Sequence, residues 1–355
     1  MIRRVLVVQP YGIGDLLFIT PVLRALRLIP TVQRVDLMIG SRTRAVIQAN
    51  PHVNDVLVID KDKMHANSRT ENFRFLRMLG KDLKKNRYDL LLDYSIRGEY
   101  AFLGQFFLGI SKRAGYAYKN RAFFHNIRLP IPDGFQGRHA VDYACDLAEQ
   151  AGVTVKDRFV EFFFSQNQSH TLGAVLTPRL PADYIALSLG GGESWGKDAH
   201  LKRWSVEKFA ALAQYFLDRK ISKKILLIGS AGERELAEEF LKSNVAAEDW
   251  TGKLSIPETA WVIKKARFFM GNDGGLLHLA RAVFKPAIGI YGPADPQVYG
   301  PYPQGVDSAA IYQPSADGKP RYFKFRYDPQ DSSLEKLTVQ AAIEILERQK
   351  FSFSA

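Results

Sequence analysis

Short apolar runs alternate with amphipathic stretches along most of the chain. In the first half, residues 5–8, 35–39, 56–59 and 90–92 are mostly apolar and of strand length, while 16–28, 42–48, 73–85 and 139–151 carry a helical apolar stripe. After a polar, proline-bearing segment at 165–181 the pattern restarts. Strands are expected at 184–189, 224–228, 268–270 and 287–290, with helices at 206–217, 233–242, 257–265 and 276–283. An irregular stretch at 313–330 precedes a last amphipathic helix at 334–348. Strands alternating with helices specify an α/β protein with mainly parallel sheets covered on both faces. The two halves, each opening with a strand, a glycine loop and a helix, predict two Rossmann-like domains facing across a cleft, at 1–170 and 182–330. Ligands of such sheets bind outside the carboxyl ends of the strands, which directs attention to three loops.

The first is Gln9-Pro-Tyr-Gly-Ile-Gly-Asp15. Gly12 and Gly14 permit a tight turn and close approach of a substrate. Asp15 at the helix start is a candidate catalytic carboxylate or a first-turn acid that caps amides. The loop lacks the Walker lysine and the full dinucleotide fingerprint. The second runs from Gly190 to Trp204. Gly191 and Gly192 expose backbone amides, and Lys197, Lys202 and Arg203 can neutralise a diphosphate; the alternative is a solvated loop with Trp204 packed at the next helix. The third is Met270-Gly-Asn-Asp-Gly-Gly-Leu-Leu-His278. Here Gly274 and Gly275 open a helix, Asp273 precedes them, and His278 lies one turn further on, as a structural residue or a ligand contact. Glu233, after Gly229-Ser-Ala-Gly, is either a ribose ligand or a helix-start acid. Gly292-Pro-Ala-Asp295 is a turn after a late strand, and the aromatic stretches 100–107 and 123–124 read as core.

Composition narrows the classes. The single cysteine, Cys145, excludes an intrachain disulfide and argues against a cysteine metal site; it sits in a helix as a small buried residue. No apolar run is long enough to span a bilayer, and the N-terminal run is too short for a secretory signal, so a cytoplasmic protein is expected. The net charge of +12 is uneven: residues 1–180 hold 26 Lys and Arg against 16 Asp and Glu, and the rest 23 against 21. The surplus concentrates in residues 60–130, with 15 basic and 7 acidic side chains. Lys61, Lys63, Arg69, Lys112, Arg113, Lys119 and Arg121 flank predicted elements there, and the last four are candidates for binding an anionic acceptor; a generally basic surface is the competing reading. No arginine-rich arm or RNP-like signature points to nucleic acid.

The ordered set GIGDLLFITPVLRALR, NPHVNDVLVID, YDLLLDY, LKRWSVEKFAALA, LLIGSAGERELAE and FFMGNDGGLLHLARA resembles glycosyltransferase family 9, the ADP-heptose:lipopolysaccharide heptosyltransferases, over nearly the whole chain. The resemblance implies the GT-B architecture, an acceptor-binding N-terminal domain, a nucleotide-sugar-binding C-terminal domain, a final helix (334–350) that returns to the first domain, and inversion at the anomeric carbon. It also implies Asp15 as general base, Lys202 as a donor-phosphate contact, Glu233 as the acid near the nucleoside, and Asp273, Gly275, Leu276 and His278 as the donor-binding D-x-G-L-x-H pattern. Two departures stand out: the glycine-rich segment before Lys202 is longer than usual, and Phe18-Ile19-Thr20 stands where some members place a histidine. The implied partners are ADP-heptose, a phosphorylated lipopolysaccharide core, and the cytoplasmic face of the inner membrane. No Asp-x-Asp motif marks the loops, so no required metal is expected, although Asp273 is able to hold a divalent ion or sugar hydroxyls. A sugar-nucleotide epimerase and a non-catalytic binder of anionic ligands are the rival readings.

Overall fold

The computed structural model describes residues 1–60, 66–192, 196–305, 307–315, 322–328 and 331–353. The chain divides into two units, Met1–Val160 and Glu161–Ala355. The division falls before the polar stretch expected to be a linker. That stretch holds instead a helix, Gln166–Val175, closed at its start by a Ser165–Gln168 capping box.

The first unit is built on six parallel strands: β1 (Arg4–Gln9), β2 (Arg34–Gly40), β3 (Asp55–Ile59), β4 (Leu90–Asp93), β5 (Lys112–Ala117) and β6 (Ile127–Pro130). Their order is β3-β2-β1-β4-β5-β6. The second unit repeats the plan with β7 (Ile185–Ser188), β8 (Ile225–Leu227), β9 (Ala247–Asp249), β10 (Phe269–Asn272), β11 (Ala287–Tyr291) and β12 (Ser308–Tyr312), in the order β12-β11-β10-β7-β8-β9. Each is the doubly wound 3-2-1-4-5-6 arrangement, whose strand order reverses beside its first strand. The central strands are apolar because they are covered on both faces: Val5, Val7, Val8 and Leu90–Leu92 are fully buried, as are Ile185, Ala186 and Leu187.

Two expected helices are split. The stretch 16–28 forms Ile13–Phe18 and Thr20–Arg27 with a break at Ile19, where Pro21 in the first turn of the second helix has no N–H to continue the ladder. The closing stretch forms Ser333–Lys336 and Val339–Arg348. The closing helices contribute to the core of the second unit. Leu334, Leu337, Ala342, Ile345 and Leu346 lie in one apolar cluster with Ile185, Leu187, Trp204 and Phe209 of the second unit. Gln349 pairs through its side-chain amide with both backbone groups of Ala310 in β12, at 2.8 and 3.1 Å.

Candidate functional site

In the second unit the expected donor residues converge at the carboxyl edge, around the reversal between β7 and β10. Lys202 Nζ lies 2.6 Å from Asp273 Oδ2, and both side chains are about nine-tenths buried. Asp273 is held there because its N–H donates to the Ile290 carbonyl at 2.9 Å. Asn272 clamps the neighbouring segments. Its Oδ1 accepts from Trp204 N at 3.0 Å, and its Nδ2 donates to the Leu189 carbonyl at 2.8 Å. Trp204 is fully buried and donates through Nε1 to the Leu337 carbonyl, as its packing role predicts. The loop thus presents Lys202 on a fixed base.

Gly274 is extended, at φ −177°, and leads into the helix Gly275–Ala282. Gly274, Gly275 and Leu276 remain partly exposed at the start of the helix, where the first-turn amides have no partner within the helix. A side chain at Gly274 would meet Gly191 and Gly192, so the two glycine loops lie against one another. Gly191 has no room for a Cβ, which would come 2.8 Å from Lys202 Cβ. His278 is buried one turn into the helix. The side chain of Lys197 and residues 193–195 lie outside the described residues.

Glu233 completes this edge. Its carboxyl group occupies the space that side chains at Gly190, after β7, and Gly229, after β8, would take; built Cβ atoms come within 2.2 Å of it. Oε1 accepts from the Ser230 hydroxyl at 3.2 Å, whereas Oε2 is buried without a well-formed hydrogen bond. Burial raises the Glu233 pKa, against the opposing pull of Ser230 and of the Arg203 charge. Arg203 likewise has a buried Nε without a hydrogen-bond partner. A partly exposed acid in the turn after a strand, with a buried oxygen poorly satisfied by protein, is suited to a ligand hydroxyl.

In the first unit Asp15 sits half-buried in the first turn after β1, and its Oδ2 accepts from the Gly12 N–H at 3.1 Å. Its carboxylate is therefore a helix cap whatever else it does. Gly14 is buried in the same turn. Sequence reasoning missed a second acid at this edge, Asp93 at the end of β4. Its Oδ2 is 3.1 Å from His125 Nε2 and its Oδ1 accepts from Ser95 N, all within the interior. The signal was available, since an aspartate ending the buried run Leu90–Leu92 needs a partner. Tyr11, whose hydroxyl accepts from Ile96 N, feels the charge of both acids. Burial drives its hydroxyl well above the ordinary range, and the charges of Asp93 and Asp15 push the same way.

The four expected acceptor cations do not form one group. Lys112 and Arg113 open β5, in register with Leu90 and Leu91, and so lie at its amino end, away from the carboxyl edge. The Arg113 guanidinium is occupied by the carbonyls of Phe124, Ile110 and Ser111 and by Gln105 Oε1, at 2.5–3.3 Å. Lys119 and Arg121 follow the carboxyl end of β5 and are exposed. Lys61 and Lys63, and the side chain of Arg69, lie outside the described residues. Cys145 is fully buried, and burial pushes its thiol up to about 12. Among the described residues no cluster of three His, Cys, Asp or Glu side chains is arranged to hold a metal ion, and no helix is long and apolar enough to cross a membrane.

Two doubly wound parallel sheets, one per unit, define an α/β protein of the Rossmann-like class. The sequence model of glycosyltransferase family 9 (heptosyltransferase) matches residues 76–317, and the chain belongs to that family; it is a glycosyltransferase. It is 24% identical over 309 residues to lipopolysaccharide heptosyltransferase 2 of Escherichia coli K12, covering 82% of this chain and 84% of that one. The fold is similar to E. coli ADP-heptose LPS heptosyltransferase II, with a TM-score of 0.72, 21% identity and 98% of both chains covered. It is also similar to a family 9 glycosyltransferase from Veillonella parvula, with a TM-score of 0.75, 21% identity, and 98% of this chain and 97% of that chain covered.

Proposed function

We propose that this enzyme transfers a heptose from ADP-heptose to a hydroxyl of a phosphorylated lipopolysaccharide core, with inversion, at the cytoplasmic face of the inner membrane. The relatives named above support the substrate classes. The observation that carries the reading is the buried Lys202–Asp273 pair beside the open amides of Gly274–Leu276, with Glu233 at the neighbouring strand ends. Lys202 and the amides meet the diphosphate, where negative charge grows as the sugar–phosphate bond breaks. Glu233 accepts from ribose hydroxyls, and Asp273 orients the sugar. The acceptor oxygen attacks the anomeric carbon from the face opposite the leaving ADP, and its proton passes to the Asp15 carboxylate. The acceptor binds the first unit, with Lys119 and Arg121 meeting its phosphates. Cationic Lys202 offsets the charge of the leaving ADP in this scheme, so the scheme calls for no metal, and transfer should persist in chelator.

Asp15→Asn separates the cap from the base. The amide oxygen still accepts from Gly12, whereas the proton acceptor is lost. We expect an unchanged melting temperature and ADP affinity, with turnover down by ~10²–10⁴-fold. Transfer from ADP-heptose to a truncated core acceptor, with the anomeric configuration of the product read by NMR, is the test. Near-normal kcat in the folded variant would remove Asp15 from this role.

A further inference from the structure

The aromatic residues expected in the core of the first unit are only partly there. Tyr100 is buried, but Phe106 is 56% exposed and Phe123 is 77% exposed. They are the outer members of a continuous ridge. Phe123 packs on Phe124 at 5.2 Å, Phe124 on Phe106 at 5.7 Å and on Phe102 at 5.3 Å. Phe102 meets Phe107 at 5.9 Å, and Phe107 meets Phe73, itself 49% exposed, at 5.7 Å. The inner rings, Phe102, Phe107 and Phe124, are rooted against the buried cluster of the unit. The turn bearing Phe123 is fixed by main-chain contacts: Arg128 Nη2 donates to the Phe123 carbonyl at 3.1 Å and Arg113 Nε to the Phe124 carbonyl at 2.8 Å. The backbone that carries Phe123 and Phe124 is therefore anchored.

Phe73 belongs to the helix Arg69–Leu83, which packs against the ridge where Gly80 leaves room for Phe107. Arg77 and Lys81 follow Phe73 at helical spacing on its exposed side, and Lys84 continues the row; all three are exposed. Of the two acids on this helix, Glu71 is engaged by the Ser68 capping box, and the other is Asp82. Exposed rings projecting from a rigid base beside a row of cations match the two layers of a bilayer surface, apolar below the headgroups and anionic at them.

We propose that the ridge of Phe73, Phe106 and Phe123, with Arg77, Lys81 and Lys84 beside it, is a docking surface for an anionic lipid bilayer. It deepens the proposed function by placing the membrane contact, and rests on that function only for why a bilayer lies nearby. The rings insert at the headgroup boundary while the three cations meet lipid phosphates, so binding combines a salt-independent and a salt-dependent part.

The test is co-sedimentation of the full chain with vesicles of phosphatidylethanolamine and phosphatidylglycerol, against phosphatidylcholine alone. The wild type should bind the first, weaken with salt, and bind the second poorly. Phe73→Ser/Phe106→Ser/Phe123→Ser should lower partition by ~10-fold or more. Arg77→Gln/Lys81→Gln/Lys84→Gln should lose most of the salt-dependent part. Phe123→Ser alone, at an exposed position that cannot unfold the core, should fall between. Absence of wild-type binding to the anionic vesicles, or wild-type binding by the serine variants, overturns the proposal. So does a self-associating wild type that becomes monomeric in the serine variant, which would make the ridge a protein interface. Transfer to a soluble truncated acceptor should be unchanged in all variants. Vesicle binding without transfer from any nucleotide-sugar would defeat the proposed function and leave the surface standing.

Discussion

Lys202 and Glu233, two of the candidate donor residues of the second unit, differ in what holds them. Lys202 is half of a buried ion pair, so Lys202→Ala does two things. It strands the Asp273 carboxylate, at a cost of about 3–5 kcal/mol in stability, and it removes a charge-assisted contact worth roughly 1.5–3 kcal/mol of ADP affinity. Adding Asp273→Asn should recover most of the stability and none of the ADP affinity, which thermal melts and calorimetric titration of ADP resolve. Glu233 works against the fold. Its folded pKa is raised, so stability is lost as pH climbs from the ordinary glutamate range through the folded value. Glu233→Gln should therefore raise the melting temperature at neutral pH, leave it unchanged well below the ordinary glutamate pKa, and weaken ADP binding. A variant less stable at neutral pH would contradict the buried, poorly satisfied carboxylate. The sequence exposes both side chains as candidates because each follows a strand and a glycine cluster. It does not expose the ion pair or the reason for Gly190 and Gly229, since these depend on β7, β8 and β10 lying side by side.

Strands dominated by Val, Leu and Ile were legible, and several with few of these residues were not. β1, β4 and β7 follow from runs of Val, Leu and Ile. β5 was missed because Lys-Arg-Ala-Gly-Tyr-Ala has neither a continuous nor an alternating apolar pattern, and β9 because Ala-Glu-Asp has almost none. Missing β5 also misplaced its cations. A strand has two ends, and without its direction Lys112 and Arg113 could not be separated from Lys119 and Arg121. The separation is testable. Arg113→Ala should lower the melting temperature, by about 2–4 °C for each kcal/mol lost, because it abandons three main-chain carbonyls, and should leave acceptor KM near normal. Lys119→Gln/Arg121→Gln should do the reverse, raising KM for a phosphorylated acceptor more than for a dephosphorylated one. Equal KM values for both acceptors would return this pair to an ordinary solvated face.

At the scale of the whole molecule, the two doubly wound sheets were legible as a repeated alternation, whereas the affiliation of the last helix was not. Amphipathicity shows that 339–348 has an apolar face but not which core receives it. Its place in the second unit makes that unit contiguous in sequence, from Glu161 to the end, with its own apolar cluster and all of the candidate donor residues. Residues 161–355 expressed alone should fold, and should bind ADP within about three-fold of the whole chain, a difference of roughly 0.7 kcal/mol. Failure to bind in a folded fragment would mean that the first unit supplies part of the nucleotide site.

The Gln349–Ala310 amide pair then acquires a further meaning. It fastens the end of the helix Val339–Arg348 to the edge strand β12 of the half that begins at Glu161, so that helix is tied to the sheet of its own half. A half of that kind is portable. Recombination near Val160 exchanges everything before it and severs none of the second unit's strand pairings. Chimeras joined there should keep their nucleotide preference while taking acceptor preference from whichever first half they receive, and this is a route by which one donor site can come to serve many acceptors.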